Sequence, residues 1–244
     1  MLGKPSIFYL RGYMKLLELL YEQENKYIEE IDRLEKNPDD VVFIEADEKT
    51  GWICLKASEN SYDWNIVRLV GDFNKAKNYI CDIPFKKDYI LLVDKNTDLQ
   101  IISNCIYNGS LLYFENTSLT NSIDSNNEYD SFVDNSLLRK NIKTKASPYN
   151  SRIDDLYLIM KNRICGYCKL IKSSWHYAEV AIEINPEYRN QGFGSYLLDG
   201  MLQQFNEHNL KMSYVVENDN IPSVKLANKF LKKSFELDKY LYRG

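Results

Sequence analysis

The run Ile182-Glu183-Ile184-Asn185-Pro186-Glu187-Tyr188-Arg189-Asn190-Gln191-Gly192-Phe193-Gly194-Ser195 constrains this chain more than any other. Val180, Ile182 and Ile184 alternate along it, the period of a half-buried strand. From Phe193 the period changes. Phe193, Leu197, Met201 and Phe205 recur every four residues with Leu198 and Leu202 beside them, which predicts a helix. Arg189-x-x-Gly192-x-Gly194 lies between the two. Its glycines let backbone amides approach a ligand closely. The helix start behind them offers unpaired N–H groups and a positive dipole end, a seat for phosphate. Arg189 adds a planar cation matched to phosphate oxygens. A dinucleotide fingerprint would need a third glycine at position 197, which is Leu.

Around this strand–turn–helix the chain reads as α/β, with a mixed sheet. Residues 6–36 carry Ile7, Leu10, Met14, Leu17 and Tyr21, then Tyr27, Ile31 and Leu34, at helical spacing. They predict two packed amphipathic helices or one bent one, ended by Asn37-Pro38. Val41–Glu45 and Trp52–Lys56 flank a polar turn and predict a hairpin. Trp64–Val70 is a further strand, Phe73–Ile80 a short helix and Tyr89–Val93 a strand. Thr97-x-x-Gln100 has the form of a capping box and predicts a helix to Asn108-Gly109. Leu111–Phe114 then reads as a strand. Strand and helix thus alternate from 64 to 115, an α/β layer.

Residues 117–150 are rich in Asn, Ser and Asp and read as a linker. A short helix with Phe132, Val133, Leu137 and Leu138 on one face is expected within it. Strands follow at 156–160, 164–171 and 179–184, then the helix from 193, a strand at 211–216, a helix from Asn220 and a last strand at 235–242. The expected divisions are 1–116, 117–150 and 151–244.

The net charge of −4 gives no electrostatic reason for nucleic acid or an anionic membrane as partner. No apolar run has the length of a membrane span, and no secretory signal opens the chain. Five scattered cysteines do not make a disulfide framework, and a reducing cytoplasm is the default. Cys165 and Cys168 have the spacing of a metal or redox pair. No second pair supports zinc, so they read as structural and no metal is expected. His176 lies in a turn and His208 at a helix end, neither with a visible triad partner.

Arg189-x-x-Gly192-x-Gly194 after an apolar strand ending in Asn-Pro-Glu-Tyr resembles the acetyl-CoA signature of the GNAT superfamily of N-acetyltransferases. The element order from about 155 to 244 is similar to the core of that fold from its second strand onward. The run from Trp64 through Gly71-Asp72 to Val93 resembles the first half of glycine N-acyltransferase-like members, itself a degenerate relative of the same fold.

The resemblance implies that acetyl-CoA is the acyl donor, and it gives residues 117–150 a share in shaping a substrate site. It implies that Arg189, Asn190, Gln191, Gly192, Phe193, Gly194 and Ser195 hold its pyrophosphate. By the same likeness, the backbone of Ile182 and Ile184 pairs with its pantetheine arm, and Asn220 and Ser223 contact that arm. Asn220 and Ser223 are also good helix caps. The base that deprotonates the amine is expected at Glu179 first, where many members carry Glu in a Glu-Ile-Gly run matched by Glu179-Val180-Ala181, and at Glu183 second. The tyrosine that many members use as acid, seven residues after the helix-opening Asn, is replaced by Ala227. Tyr214 on the neighbouring strand is one substitute, and water another. The implied reaction is direct acetyl transfer to a primary amine of a small molecule or peptide. The alternative is a non-catalytic acyl-CoA-binding or regulatory module. The oligomeric state is open, a homodimer being one option.

Overall fold

Helix-period residues open the chain and strand-period residues follow, and the computed structural model preserves that order. It describes residues 7–57, 64–86, 88–99, 102–116, 137–140, 153–160 and 163–243. The chain begins with helices α1 (Ile7–Tyr21) and α2 (Ile28–Lys36), separated by a 3-10 turn at Glu24–Lys26. Strands β1 (Val41–Asp47), β2 (Thr50–Leu55) and β3 (Asn65–Val70) come next. Helix α3 (Phe73–Ala76), β4 (Tyr89–Asp94) and β5 (Cys105–Glu115) follow. Then come β6 (Leu137–Lys140), β7 (Asp155–Met160), β8 (Arg163–Ser173) and β9 (Tyr177–Ile184). The chain ends with α4 (Phe193–Glu207), β10 (Lys211–Glu217), α5 (Ile221–Phe230) and β11 (Lys232–Tyr242). Among the described residues, no helix is long and apolar enough to cross a membrane.

Two compact units result: Met1–Leu112 with Glu217–Asp219 and Glu236–Gly244, and Tyr113–Val216 with Asn220–Phe235. In the first unit the strand order is β1-β2-β3-β4-β11. β1, β2 and β3 form an antiparallel meander. The chain crosses over through α3, and β4 lies parallel to β3. The end of β11 pairs antiparallel with β4, from Leu237 opposite Asp94 to Tyr242 opposite Tyr89. Two cores form. One gathers Trp52, Val67, Leu69, Phe73 and Leu91, with the Trp52 indole donating to the carbonyl of Ala76 at 2.8 Å. The other gathers Leu16, Leu20, Ile31, Leu34, Ile53 and Val70.

In the second unit the order is β10-β9-β8-β7-β6. β6 to β9 form an antiparallel meander, α4 crosses over, and β10 runs parallel to the start of β9. The sequence of moves is the same as in the first unit. Leu197, Leu198, Met201 and Phe205 of α4 are wholly buried. At roughly 1.5–3 kcal/mol for each such side chain, this packing holds the helix rigidly.

One expected helix is absent, and the described part of a second is strand. The Thr97 hydroxyl donates to the carbonyl of Asp94 at 2.6 Å, closing a turn after β4 instead of capping a helix. The residues that would have continued the helix form the start of β5. Leu137 and Leu138 belong to β6, opposite Leu158 and Tyr157 of β7. Phe132 and Val133 lie outside the described residues.

One buried ion pair sits in the first unit. Arg68 of β3 donates to Glu30 of α2 at 3.0 Å, with both side chains at most 2% exposed. The guanidinium also lies 4.8 Å from the centre of the Tyr27 ring. Removing one member of a buried pair leaves an uncompensated charge, whereas replacing both with apolar groups does not. Glu30→Ala is therefore expected to cost about 3–5 kcal/mol. The Glu30→Met/Arg68→Met double substitution should recover most of that loss, both read from urea denaturation midpoints.

Candidate functional site

The ladder between β9 and β10 is short. Tyr177, Ala178 and Glu179 pair with Lys211, Met212 and Ser213, and among the described residues the pairing ends there. β9 continues for five more residues against β8 alone, with Gly166 opposite Ile184 and Cys168 opposite Ile182. A shift in register between Leu170 and Lys172 places an extra residue, Ile171, in β8.

The orientation of the β9 backbone follows from one bond. The N–H of Asn185 donates to the carbonyl of Cys165 in β8 at 2.8 Å. Successive peptide groups of a strand face opposite edges, so those of Ile184 and Ile182 face away from β8, toward the gap. The Ile184 carbonyl accepts from Arg189 Nε at 3.0 Å. That contact fixes the guanidinium at the end of the open strand. A Cβ on Gly166 would come within 2.7 Å of the Glu183 carbonyl and 2.5 Å of Ile184 Cδ1. Only glycine lets β8 and β9 run this close at the mouth of the gap.

The loop beyond β9 tightens into a 3-10 turn at Pro186–Tyr188. Asn190 and Gly192 then both take positive φ, 60° and 82°. Gln191 donates from Nε2 to the Glu187 carbonyl at 3.3 Å. Gly192 is the N-cap of α4, and its carbonyl receives the first helical bond, from Tyr196 at 3.1 Å. A glycine cap brings no side-chain acceptor, and no acidic residue stands in the first turn. The amides of Phe193, Gly194 and Ser195 thus head a 15-residue helix without an internal anion. Gly194 lies 3.4 Å, measured from an added Cβ, from Leu226 of α5.

α5 supplies the other wall. Asn220 is its N-cap and accepts from the N–H of Ser223 at 3.3 Å. The phenol of Tyr214 on β10 is buried nearby. Burial pushes it above its usual range, and Ser223 acts in the opposite sense. Ala227, one turn further along α5, is wholly buried.

The two carboxylates of β9 share a face but not an environment. Glu179 is buried at the last rung of the β9–β10 ladder, with Lys172 Nζ at 3.9 Å. Glu183 lies about 13 Å further along the strand. It is exposed and accepts from the Tyr167 hydroxyl. That bond is the main cause of a raised Tyr167 phenol pKa. The same face carries Lys169, whose Nζ stands 3.9 Å from the centre of the Tyr167 ring and 5.3 Å from that of Tyr157. This aromatic–lysine cluster had no local signal in the sequence, and the cross-strand registers that create it come only from the fold.

Cys165 and Cys168 are buried free thiols. Burial drives the Cys168 thiol far above its ordinary pKa, so it stays protonated. Among the described residues, no group of three or more His, Cys, Asp or Glu could hold a metal ion.

The first unit repeats the topology but not the site. There β3 pairs with β4 over four of its six residues. The helix that follows, α3, has Asp72 as N-cap, accepting from Asn74 at 2.8 Å. A fixed carboxylate occupies the place that an incoming phosphate would take.

Residues 127–231 match the model of the Acetyltransferase (GNAT) family. No curated protein sequence matches the chain. Among solved structures, a tandem GNAT protein from the clavulanic acid biosynthesis pathway is similar in fold, with a TM-score of 0.57 at 8% identity over 96% of this chain and 95% of that one. A putative GNAT acetyltransferase from Novosphingobium aromaticivorans gives 0.53 at 10% identity, over 87% and 96% of the two chains. A GCN5-related N-acetyltransferase-like protein from Streptococcus suis gives 0.51 at 13% identity, over 96% and 99%. Residues 127–231 are thus similar to a GNAT-family acetyltransferase domain, and the solved structures share the fold.

Proposed function

We propose that the second unit transfers an acetyl group from acetyl-CoA directly to a primary amine of a small molecule or peptide. The observation that carries this reading is the early end of the β9–β10 ladder beside a glycine-capped helix start. Together they offer a line of backbone donors and acceptors leading to a cluster of anion-binding amides. In this reading the amides of Gly192, Phe193, Gly194 and Ser195 hold the pyrophosphate, flanked by Asn190 and Gln191, with Arg189 as countercharge. The outward peptide groups of Ile182 and Ile184 pair with the amide-bearing arm, and Asn220 and Ser223 line it from the far side. A chain segment with its own amides is a natural occupant for an unpaired strand edge. A bare phosphate would leave that edge unused.

Glu179 is the favoured base. It stands buried where the gap begins, and a carboxylate there can take a proton from an ammonium brought against the sheet. Glu183 is exposed at the far end of β9 and bonded to Tyr167, which suits a role in the acceptor site better than at the reacting carbon. The first unit is read as a second, degenerate GNAT-like repeat. Its laddered β3–β4 pair and its Asp72 cap leave it without a CoA seat.

A rival reading is a module that binds acyl-CoA without turning it over, and the buried Ala227 in place of an acidic tyrosine favours it. Thiol release from acetyl-CoA over a panel of primary amines separates the two. The transferase reading expects release with at least one amine. It also expects Glu179→Gln to lower kcat by about 10²-fold or more while acetyl-CoA affinity stays within a few fold. Binding without release for every amine would establish the rival.

Two binding measurements test the seat itself. Calorimetry should give one acetyl-CoA per chain, not two, because only one unit has an open ladder. Gly192→Val forces a β-branched residue into left-handed backbone, a strain of roughly 1–2 kcal/mol before any clash with ligand. It should weaken acetyl-CoA binding at least tenfold, and unchanged affinity would remove this loop from the site.

A further inference from the structure

We infer that the first unit carries a small-molecule site of its own, which binds a hydrophobic amine with its alkyl or aryl part inside and its ammonium at the mouth. The inference does not depend on the transferase reading. A hollow of about 300 Å³, at the lower end of the range for small-molecule sites, is lined by residues of α1, α2 and β1.

The hollow is a gap in the second of the two cores. Leu16, Leu34 and Val41 are buried members of that core and form its floor. Leu19 and Phe43 pack against the same core, stay partly exposed, and form its walls. Protein interiors seldom leave apolar space larger than a water molecule. An ordered water needs several polar partners, and this floor offers hydrocarbon. An apolar group gains from burial against it.

The mouth sets the other half of the ligand. Its exposed side chains are Lys15, Glu45 and Glu48, one cation against two carboxylates. Lys15 is already committed to Glu45, with Nζ 3.1 Å from Oε1. Lys49, the chain neighbour of Glu48, is paired with Glu22 at 3.7 Å. Among the described residues, Glu48 itself has no ion-pair partner. Tyr13 also lines the hollow, and its hydroxyl donates to the Leu34 carbonyl at 2.8 Å. That leaves its oxygen free only to accept. The uncommitted polar atoms are therefore acceptors, and a cationic donor completes them. An anionic head would meet two carboxylates instead. The Lys15–Glu45 pair is solvent-exposed at both ends, and pairs of that kind are weak, so it can part to admit the tail.

Calorimetric titration of the full chain with n-octylamine, n-butylamine and octanoate, without acetyl-CoA, tests the inference. Octylamine should bind saturably. Butylamine buries less tail and octanoate carries the opposite charge, so each should bind at least about tenfold more weakly. Glu48→Gln removes the unpaired carboxylate, and Leu19→Trp fills the hollow. Each should weaken octylamine binding by about fivefold or more. Octanoate binding as tightly as octylamine would overturn the inference, as would unchanged octylamine affinity in Glu48→Gln, and neither result needs Leu19→Trp to fold. Octylamine affinity that is lost in Glu179→Gln and kept in Glu48→Gln would put the amine in the second unit. That result would support the transferase reading and overturn this one.

Discussion

The second unit is organised by a backbone ladder that stops early. A strand inside a sheet normally satisfies its N–H and C=O groups on both edges. β9 does so for three residues and then keeps only β8 as a neighbour. The open edge is held open by features on either side of it. The extra residue Ile171 bends β8, Gly166 lets β8 and β9 close up beneath the gap, and Arg189 ties back to the Ile184 carbonyl. Filling the gap with another strand would erase the site. The first unit shows this alternative, since its β3 and β4 stay laddered for most of their length.

Electrostatics separates the two units as sharply as geometry does. Both have a helix beginning just after a central strand. In one the cap is Gly192, with no side chain and no acid in the first turn. In the other it is Asp72, whose carboxylate already satisfies a first-turn amide. A favourable charge at a helix start contributes about 0.3–1 kcal/mol. A ligand anion would have to displace that carboxylate and tolerate its repulsion. Of these two helices, the 15-residue α4, held by its buried apolar side, starts without a side-chain anion.

Local pattern made most of the architecture legible. The strand period through Ile184, the helix period from Phe193 and the Asn220 cap all have near-neighbour causes, and all appear where expected. The failures are tertiary overrides. Thr97 resembles a helix cap, but its hydroxyl closes the turn after β4, and Cys105–Glu115 extends as strand. Leu137 and Leu138 fit a helix stripe as well as a strand, and only pairing with β7 decides between them. Tyr214 was no more than a named substitute in the sequence. Its place just past the last rung of the β9–β10 ladder comes from a register that no spacing rule encodes.

The same distinction decides between the two carboxylates. Sequence places Glu179 and Glu183 on one face of one strand and can rank them only by family likeness. The fold gives them opposite surroundings. Glu183 is exposed, where water solvates its charge and an isolated hydrogen bond from Tyr167 suffices. Glu179 is buried, with Lys172 Nζ 3.9 Å away. Holding a carboxylate there carries a desolvation cost that its buried surroundings must offset. The two carboxylates thus differ in burial and in partner, and strand periodicity, which puts them on one face, cannot encode that difference.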